Sequence, residues 1–341
     1  MKEVIMKRII LIGGIALIVA FSSNHILAKS DWKLAPGEAE IIYTLDDDPQ
    51  YIQEPEGIAL DWMGNIYISN RKNDGTSRVI NEIIKITPGG YSCVVANLGP
   101  AEPGANGILG LSTDPRGNVY AAMSSENPDT HGVWKIRPYG DSERLSGSEN
   151  INVPNALTLD NRGNIYVTDS YPKTETGPGL VWKYDRKSRE FGVWASSELL
   201  APDPFYDPFP FPGPGANGIA YARNHIYVAN NEKGLILDIP VTRNGLAGDV
   251  EIIAGTYPPT GPPGLLFAPD GLSIDIKGNL YSVVPAAGLA PFPLSPVIKI
   301  YTATGEVEAI IEPITALSPL FDFPTSLAFG SGFRDGKSLF I

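Results

Sequence analysis

Residues 154–170 read PNALTLDNRGNIYVTDS and contain two short strand-like runs on either side of a polar turn. The first run is Ala156–Leu159, and the second is Asn164–Thr168. Between them, the sequence Asp-Asn-Arg-Gly is typical of a tight hairpin turn in which the glycine takes a positive φ. Asn155 stands just before the first run, behind a proline, although that run otherwise reads as core. The stretch therefore predicts a β-hairpin with an amide side chain at the start of a buried strand.

The same hairpin pattern recurs, so that the chain holds six copies of it. The other five are PEGIALDWMGNIYISN (55–70), LGLSTDPRGNVYAAM (109–123), ANGIAYARNHIYVAN (216–230), PDGLSIDIKGNLYSVV (269–284) and PTSLAFGSGFRDGKSLFI (324–341). Further strand-like runs lie between the copies, which gives about four strands per repeat. Four strands at this period are the signature of a propeller blade. The sequence predicts an all-β fold, a six-bladed β-propeller with four-stranded blades.

Four of the copies open their turn with an aspartate, and we interpret these aspartates as structural. A carboxylate at this position accepts hydrogen bonds from the turn's own backbone and so stabilises the turn. The four residues are Asp61, Asp114, Asp160 and Asp275.

The domain boundaries follow from the N-terminus. Residues 1–28 combine three basic residues with an apolar stretch too short for a comfortable membrane span, which is typical of a signal peptide. An uncleaved anchor is the alternative. Residues 29–341 then form a single propeller domain, exported to the periplasm or the extracellular space. The segment 39–47 is expected to close the last blade as its outer strand. The chain stops at the second strand of the sixth repeat, so either residues 31–47 supply two strands or the sequence is truncated.

Charge and composition exclude several classes of function. The formal charge of −12 becomes −14 once three basic residues and one acidic residue of the leader are removed. A chain this acidic lacks the basic patch that nucleic acids or anionic membranes require. One cysteine and three histidines are too few for a metal site built from thiolates or from several histidines. The expected partner is a small molecule, with no stable membrane insertion after cleavage and a monomeric state favoured.

One position of the repeat is polar where packing would favour an apolar residue. It is the residue before the small residue that opens the first strand, and in a propeller the six copies of this position form a ring around the axis. The ring consists of Glu56, Leu109, Asn155, Asn217, Asp270 and Thr325. Two carboxylates facing each other inside a protein repel and are costly to desolvate, unless a cation lies between them.

The ring therefore predicts a metal site formed by Glu56, Asn155, Asn217 and Asp270. Its ligands are all oxygen atoms, which favours Ca²⁺, with Mg²⁺, Mn²⁺ or Zn²⁺ as weaker choices. Asp270 and Glu56 are also the predicted catalytic residues. The alternative interpretation is that the asparagines only cap turns.

Substrate-binding residues are expected at the ring and on the loops that lead to it. Asn106 belongs to a GANGI stretch that occurs again at 215–219, and could replace Leu109 in the ring. Asp169 ends the second strand of the third repeat, and Thr325 is the sixth ring residue. Long proline-rich loops predict an aromatic rim around the channel, which would suit an apolar part of a substrate. The rim residues named for this role are Phe209, Phe211 and Phe267, with filling of space under the loops as the alternative.

The chain resembles the senescence marker protein/gluconolactonase group of six-bladed propellers, whose wider relatives include diisopropyl fluorophosphatases, paraoxonases and strictosidine synthase-like proteins. The resemblance spans residues 39–341 and rests on the ordered Glu-Asn-Asn-Asp set. It implies a catalytic divalent ion held by Glu56, Asn155, Asn217 and Asp270. The chain departs from paraoxonase-like enzymes because His131 and His225 lie outside the ring.

We therefore expect a secreted, metal-dependent hydrolase of a lactone or related ester that has a hydrophobic or aromatic portion. Two alternatives stay open. One is a biosynthetic enzyme for condensation, cyclisation or oxidative coupling of an aromatic precursor on the same scaffold. The other is a propeller that binds a ligand without catalysis.

Overall fold

The computed structural model describes residues 9–10, 38–39, 41–45, 51–74, 79–101, 106–171, 177–203, 213–258, 264–285, 287, 294–311, 324–330 and 338–341. Within these residues the chain forms antiparallel sheets almost throughout. Two short 3₁₀ helices, Ser148–Asn150 and Gly264–Leu266, lie in connecting segments. A pair of two-residue strands, β1 (Ile9–Ile10) and β2 (Glu38–Ala39), forms a small sheet near the N-terminus.

Five sheets have four strands each, and we name them blades 1 to 5 in chain order. Blade 1 contains β3 (Ile52–Leu60), β4 (Ile66–Asn73), β5 (Val79–Ile86) and β6 (Ser92–Ala101). Blade 2 contains β7 (Gly107–Thr113), β8 (Val119–Ser124), β9 (Gly132–Ile136) and β10 (Ser142–Arg144). Blade 3 contains β11 (Pro154–Leu159), β12 (Ile165–Asp169), β13 (Gly179–Asp185) and β14 (Glu190–Ser197).

The remaining blades follow the same order. Within every blade, each strand pairs with the next strand along the chain. Blade 4 contains β15 (Ala216–Ala222), β16 (His225–Asn230), β17 (Leu235–Pro240) and β18 (Glu251–Ala254). Blade 5 contains β19 (Leu272–Ile274), β20 (Leu280–Val283), β21 (Val297–Ile300) and β22 (Val307–Ala309). The last sheet has two strands, β23 (Ala328–Phe329) and β24 (Leu339–Phe340).

Apolar side chains between neighbouring sheets hold the molecule together. Among the described residues, four hydrophobic clusters lie between consecutive blades from 1 to 5. A fifth cluster joins blade 5 to the two-stranded sheet, with Val283 and Leu339 buried in it. A sixth cluster joins the two-stranded sheet back to blade 1, with Phe340 packed against Ile58 and Ile68. The sheets therefore form a closed ring in which the two-stranded sheet stands between blades 5 and 1.

The structure corrects the prediction of six four-stranded blades. The described residues contain five such blades, and the sixth repeat forms the two-stranded sheet. The expected outer strand at 39–47 is also not observed in the described part of that segment, because Ala39 pairs with β1 and residues 41–45 form no strand. Ile42 and Leu45 are instead buried in the cluster that contains Phe340. Residues 41–45 therefore help to close the ring of sheets through apolar packing and not through strand pairing.

The structural role predicted for the turn aspartates is confirmed. Asp160 Oδ1 accepts the backbone N–H groups of Arg162 at 2.8 Å and Asn164 at 2.9 Å. Its Oδ2 accepts the Asn164 side-chain amide at 2.7 Å and the Tyr166 hydroxyl at 3.3 Å. The same four contacts recur at Asp61 and Asp114, and the first three recur at Asp275. Each of these carboxylates is thus occupied by its own hairpin.

The described residues include no helix that is long and apolar enough to cross a membrane.

Candidate functional site

The first strand of each repeat brings its ring residue to a common end of the sheets. Glu56, Leu109, Asn155 and Asn217 lie in β3, β7, β11 and β15, and Asp270 and Thr325 come just before β19 and β23. After four of these residues comes a glycine, and the reason is steric. A Cβ on Gly57 would stand 2.3 Å from the carbonyl oxygen of Leu109, and one on Gly218 would stand 2.2 Å from that of Asp270. Only glycine allows backbones to approach this closely.

Contacts of this kind link all six predicted positions, each to the next, around the ring. Gly110 lies against the Asn155 carbonyl, and Gly271 lies against the Thr325 carbonyl. Hydrogen bonds complete the two remaining steps. The Thr168 hydroxyl of blade 3 donates to the Asn217 carbonyl at 2.7 Å, and the Thr325 hydroxyl donates to the Glu56 carbonyl at 3.0 Å. The alignment that puts Leu109 in the ring therefore agrees with the structure.

Glu56 and Asp270 interact electrostatically although they come from blades 1 and 5. Burial raises the pKa of the Glu56 carboxyl to about 7, and a hydrogen bond with Thr325 opposes that rise. Burial also raises the pKa of Asp270 well above its ordinary value, and the negative charge of Glu56 adds to the rise. Both residues keep some solvent-accessible surface, as expected at the end of a channel, but little water surrounds their carboxyl groups. The two carboxylates thus lie within reach of each other's charge.

The two asparagines of the predicted metal set are held by neighbouring side chains. Asn217 is only 4% exposed, and its side chain hydrogen-bonds to Asp270, which lowers the pKa of that carboxyl in part. Asn155 donates its amide N–H to the Ser170 hydroxyl at 2.8 Å. The Ser170 hydroxyl in turn donates to the Ala216 carbonyl at 2.9 Å. This chain fixes the orientation of the Asn155 amide and leaves its carbonyl oxygen as the atom that could bind a cation.

The donor set fits a hard divalent cation. It consists of two carboxylates and two amides, and carboxylate and amide oxygens are the ligands that Ca²⁺ prefers. Burial raises the pKa of both Glu56 and Asp270, and the charge of Glu56 adds to the rise at Asp270, so a bound cation would stabilise their charged forms. Among the described residues, no group of three or more His, Cys, Asp or Glu side chains is arranged to hold a metal. A cation here would therefore depend on the asparagines as well as the two acids.

Two of the predicted substrate-binding residues make contacts near the ring. Thr325 supplies the hydroxyl that reaches Glu56, as described above. Asn106 is exposed just before β7, and its amide lies 3.5 Å from the Ser124 hydroxyl. A substrate-binding role for either residue stays a prediction.

Asp169 and Phe267 lie where the structure gives them local roles. Asp169 is 2% exposed and accepts the backbone N–H groups of Asn152 at 3.0 Å and Val153 at 2.8 Å, together with the indole N–H of Trp182 at 3.2 Å. These contacts give no support to a substrate-facing carboxylate. Phe267 is buried in the cluster between blades 4 and 5, which favours filling of space over a place on an open rim. Phe209 and Phe211 lie outside the described residues.

Sequence reasoning missed the side chains that support the ring residues. Thr168 and Ser170 stand on either side of Asp169, and both reach across to the segment that carries Asn217. A signal was present, because Ser69 of blade 1 occupies the position equivalent to Thr168 and its hydroxyl accepts the Gly57 N–H at 2.7 Å. Glu232, a buried carboxylate after β16, gave no signal in the repeat because it lies beyond the end of the hairpin.

Solved structures share the fold of this chain at low sequence identity. A chain in the crystal structure of a nidogen/laminin complex is 14% identical, with a TM-score of 0.54, over 78% of this chain and 81% of that chain. An auxiliary nutrient binding protein from Bacteroides ovatus is 12% identical, with a TM-score of 0.49, over 74% of this chain and 61% of that chain. Virginiamycin B lyase from Staphylococcus aureus is 16% identical, with a TM-score of 0.48, over 80% of this chain and 74% of that chain.

No protein-family model matches the sequence, and no curated protein matches it. The structural likeness extends to the fold alone, and by that fold the chain is a β-propeller with four-stranded antiparallel blades.

Proposed function

We propose that this protein is an exported, divalent-cation-dependent hydrolase of a lactone or related ester, with Ca²⁺ as the preferred cation. Glu56, Asn155, Asn217 and Asp270 would hold the cation at the end of the inner strands. The observation that carries the proposal is the pairing of the Glu56 and Asp270 carboxyl groups, whose pKa values are raised by burial and, at Asp270, by the charge of Glu56. Two acids kept together in a poorly hydrated place are stable when a proton neutralises them or when a positive group lies between them, and a bound divalent cation allows both to stay charged.

The chain's own residues have separate tasks in this hydrolysis. A bound divalent cation supplies Lewis acidity toward a carbonyl oxygen. Asp270, held by the Asn217 side chain, or Glu56 would accept a proton from water or attack the carbonyl carbon. Glu56 is held by Thr325 and balances the charge of the site. Leu109 is the one apolar member of the ring, and it provides a side of the channel suited to the apolar part of an ester.

Two further features belong to the proposal. We infer that the two-stranded sheet is the inner half of a sixth blade, because it occupies a full place in the ring and its Phe340 packs with Ile42 and Leu45 from the N-terminal segment. Export is inferred from the basic and apolar leader at residues 1–28.

The test begins with the purified protein, whose calcium, magnesium, manganese and zinc content is measured by elemental analysis. Calorimetric titration of the chelated protein with Ca²⁺ follows, and then a panel of lactones and aryl esters is assayed with and without chelator. We expect one cation per chain and turnover that disappears on chelation and returns with Ca²⁺. Turnover that survives exhaustive chelation would overturn the metal-dependent mechanism. Cation binding without hydrolysis would favour a ligand-binding propeller, and product formation without hydrolysis would favour a biosynthetic enzyme.

A further inference from the structure

Glu232 is a buried carboxylate outside the ring that joins two distant points of the chain. It follows the last residue of β16 by two positions and is only 3% exposed. Its Oε2 accepts the backbone N–H of Asp203 at 2.5 Å, and its Oε1 accepts the backbone N–H of Gly213 at 3.2 Å. One side chain thus fixes both residues that flank segment 204–212. Gly213 also begins the short run that ends at Asn217.

The backbone of this run, residues 213–217, is hydrogen-bonded on both sides. On the blade 4 side, the Glu232 N–H donates to the Pro214 carbonyl and the Asn231 N–H donates to the Gly215 carbonyl, each at 3.1 Å. On the blade 3 side, the Gly215 N–H donates to the Ser170 carbonyl at 2.9 Å. A Cβ on Gly215 would stand 2.5 Å from the Leu200 carbonyl oxygen, so the run packs closely against that segment. Asn217 is therefore placed by the contacts of the four residues before it.

The neighbouring lysine, Lys233, lies within electrostatic reach of the Glu232 carboxylate. Lys233 is 5% exposed, its Nζ donates to the Glu198 carbonyl, and it lies 4.6 Å above the centre of the Tyr257 ring. The Tyr257 hydroxyl donates to Asp203 Oδ2 at 3.0 Å. Burial lowers the pKa of Lys233, while the charges of Asp203, Glu198 and Glu232 oppose that fall. The charges of these side chains act on one another, and Glu232 contacts the backbone of residues 203 and 213.

We propose that Glu232 is a positioning residue for Asn217. It acts indirectly, by holding Gly213 so that the run 213–217 presents Asn217 to Asp270. This inference rests on the proposed function for its effect on cation affinity, but the placement of the run is a property of the protein itself. Loss of the carboxylate would leave two partly buried N–H groups without this acceptor, which a folded protein relieves by moving the backbone that carries them.

The experiment compares Glu232→Ala and Glu232→Gln with a matched control, Glu190→Ala, in which the glutamate is exposed on β14. Hydrogen exchange of the backbone amides in residues 213–217 is measured in chelated protein, and Ca²⁺ affinity is measured by calorimetry. We expect faster exchange at 213–217 in Glu232→Ala, with the exchange of β12 and β20 unchanged. We also expect a Kd for Ca²⁺ raised about tenfold, the usual scale for residues that orient a metal ligand. Glu232→Gln keeps one acceptor oxygen and should lie between Glu232→Ala and the wild type in both measurements.

The outcomes separate this inference from the proposed function. Unchanged exchange at 213–217 in Glu232→Ala would overturn the inference whether or not the protein binds Ca²⁺. Faster exchange with an unchanged Kd would overturn it as well, because Asn217 would then not depend on Glu232. A wild-type protein that binds no Ca²⁺ would overturn the proposed function, whereas the exchange data would still decide whether Glu232 holds the run. If Glu232→Ala fails to fold, the same comparison is made with Glu232→Gln.

Discussion

The hydroxyl of Thr325 donates a hydrogen bond to the backbone carbonyl of Glu56 at 3.0 Å, although 269 positions separate the two residues in the chain. This bond joins the two-stranded sheet to blade 1 at the level of the ring. The same Thr325 accepts the Gly271 N–H through its carbonyl at 3.0 Å, so it also joins the sheet to blade 5. Glu56 and Asp270 consequently meet across a single intervening ring position.

Substitution of either ring carboxylate should weaken cation binding strongly without unfolding the protein. In Asp270→Asn and Glu56→Gln the shape is kept, but the site loses half of its negative charge. Because charge count sets Ca²⁺ affinity, we expect Kd to rise on the order of 100-fold and ester turnover to fall with it. Calorimetry and activity assays measure the effect, with circular dichroism as the check on folding. Asp129→Asn, at an exposed aspartate, is the control. Wild-type affinity in Asp270→Asn would contradict the proposed ligand set.

Gly218→Ala should destabilise the protein because the inner strands of blades 4 and 5 touch at this residue. The new Cβ would stand 2.2 Å from the Asp270 carbonyl oxygen, which forces the strands apart. Overpacking of this kind costs about 1–3 kcal/mol, and moving Asp270 should also weaken Ca²⁺ binding. Thermal unfolding measures the first effect, and calorimetry measures the second.

The control for this substitution is Gly192→Ala on β14, where a Cβ would meet nothing within 4 Å. Its unfolding temperature should stay close to that of the wild type. Equal unfolding temperatures for the two variants would mean that the inner strands are not packed as described.

Asp160→Ala should cost about 2–4 kcal/mol of unfolding free energy, because four donors lose their acceptor at one buried turn. The donors are two backbone N–H groups, the Asn164 amide and the Tyr166 hydroxyl. Denaturant unfolding measures the loss, and Asp129→Ala serves as an exposed control. A change below about 0.5 kcal/mol, the level of ordinary surface substitutions, would contradict the structural role of the aspartate.

The tyrosines of the turns should make the protein sensitive to alkali. Burial, and then the adjacent negative charge of Asp160, raises the pKa of Tyr166 above its ordinary value of 10.0, and the same causes act on Tyr67 and Tyr120 with their own aspartates. A raised folded-state pKa means that the folded protein holds the proton more tightly than the unfolded chain. The stabilisation is complete below the unfolded-state pKa of about 10 and is lost as the pH rises above it.

We therefore expect the unfolding free energy to fall steadily as the pH rises above 10. Denaturant unfolding over that range, combined with ultraviolet absorption of ionised tyrosine, measures the effect. Tyr166→Phe removes one titrating group, so its stability should depend less steeply on pH. An equal slope in Tyr166→Phe would show that Tyr166 does not titrate in this way.

Local features of the fold were predictable, and pairing between distant segments was not. The Asp-x-x-Gly-Asn turn of four repeats binds its own backbone, so each of these four copies identifies a hairpin whatever surrounds it. In all six repeats the two predicted strands pair with each other. The partners of residues 39–47 are far away in sequence, and no local pattern states whether Ile42 joins a ladder or only packs. The prediction of four strands in the sixth blade was wrong for the same reason, because its further strands had to come from the other end of the sequence.

The ring residues were predictable because the repeat gives them one equivalent position each. The direction of a side chain at a strand end was not predictable, because alignment gives the position of a residue but not the contacts that it makes. Asp169 aligns with the end of β12 but turns toward the N–H groups of Asn152 and Val153. Phe267 lies on a loop rich in proline but packs into the core between blades 4 and 5.

Closure through Thr325 has a consequence for how the protein matures. A growing chain exposes Glu56 early and Asp270 late, and the two acids become neighbours only when the last repeat has docked onto the first. On the proposed function, affinity for the cation would arise only at the end of assembly, so uptake of the ion would report that the ring has closed.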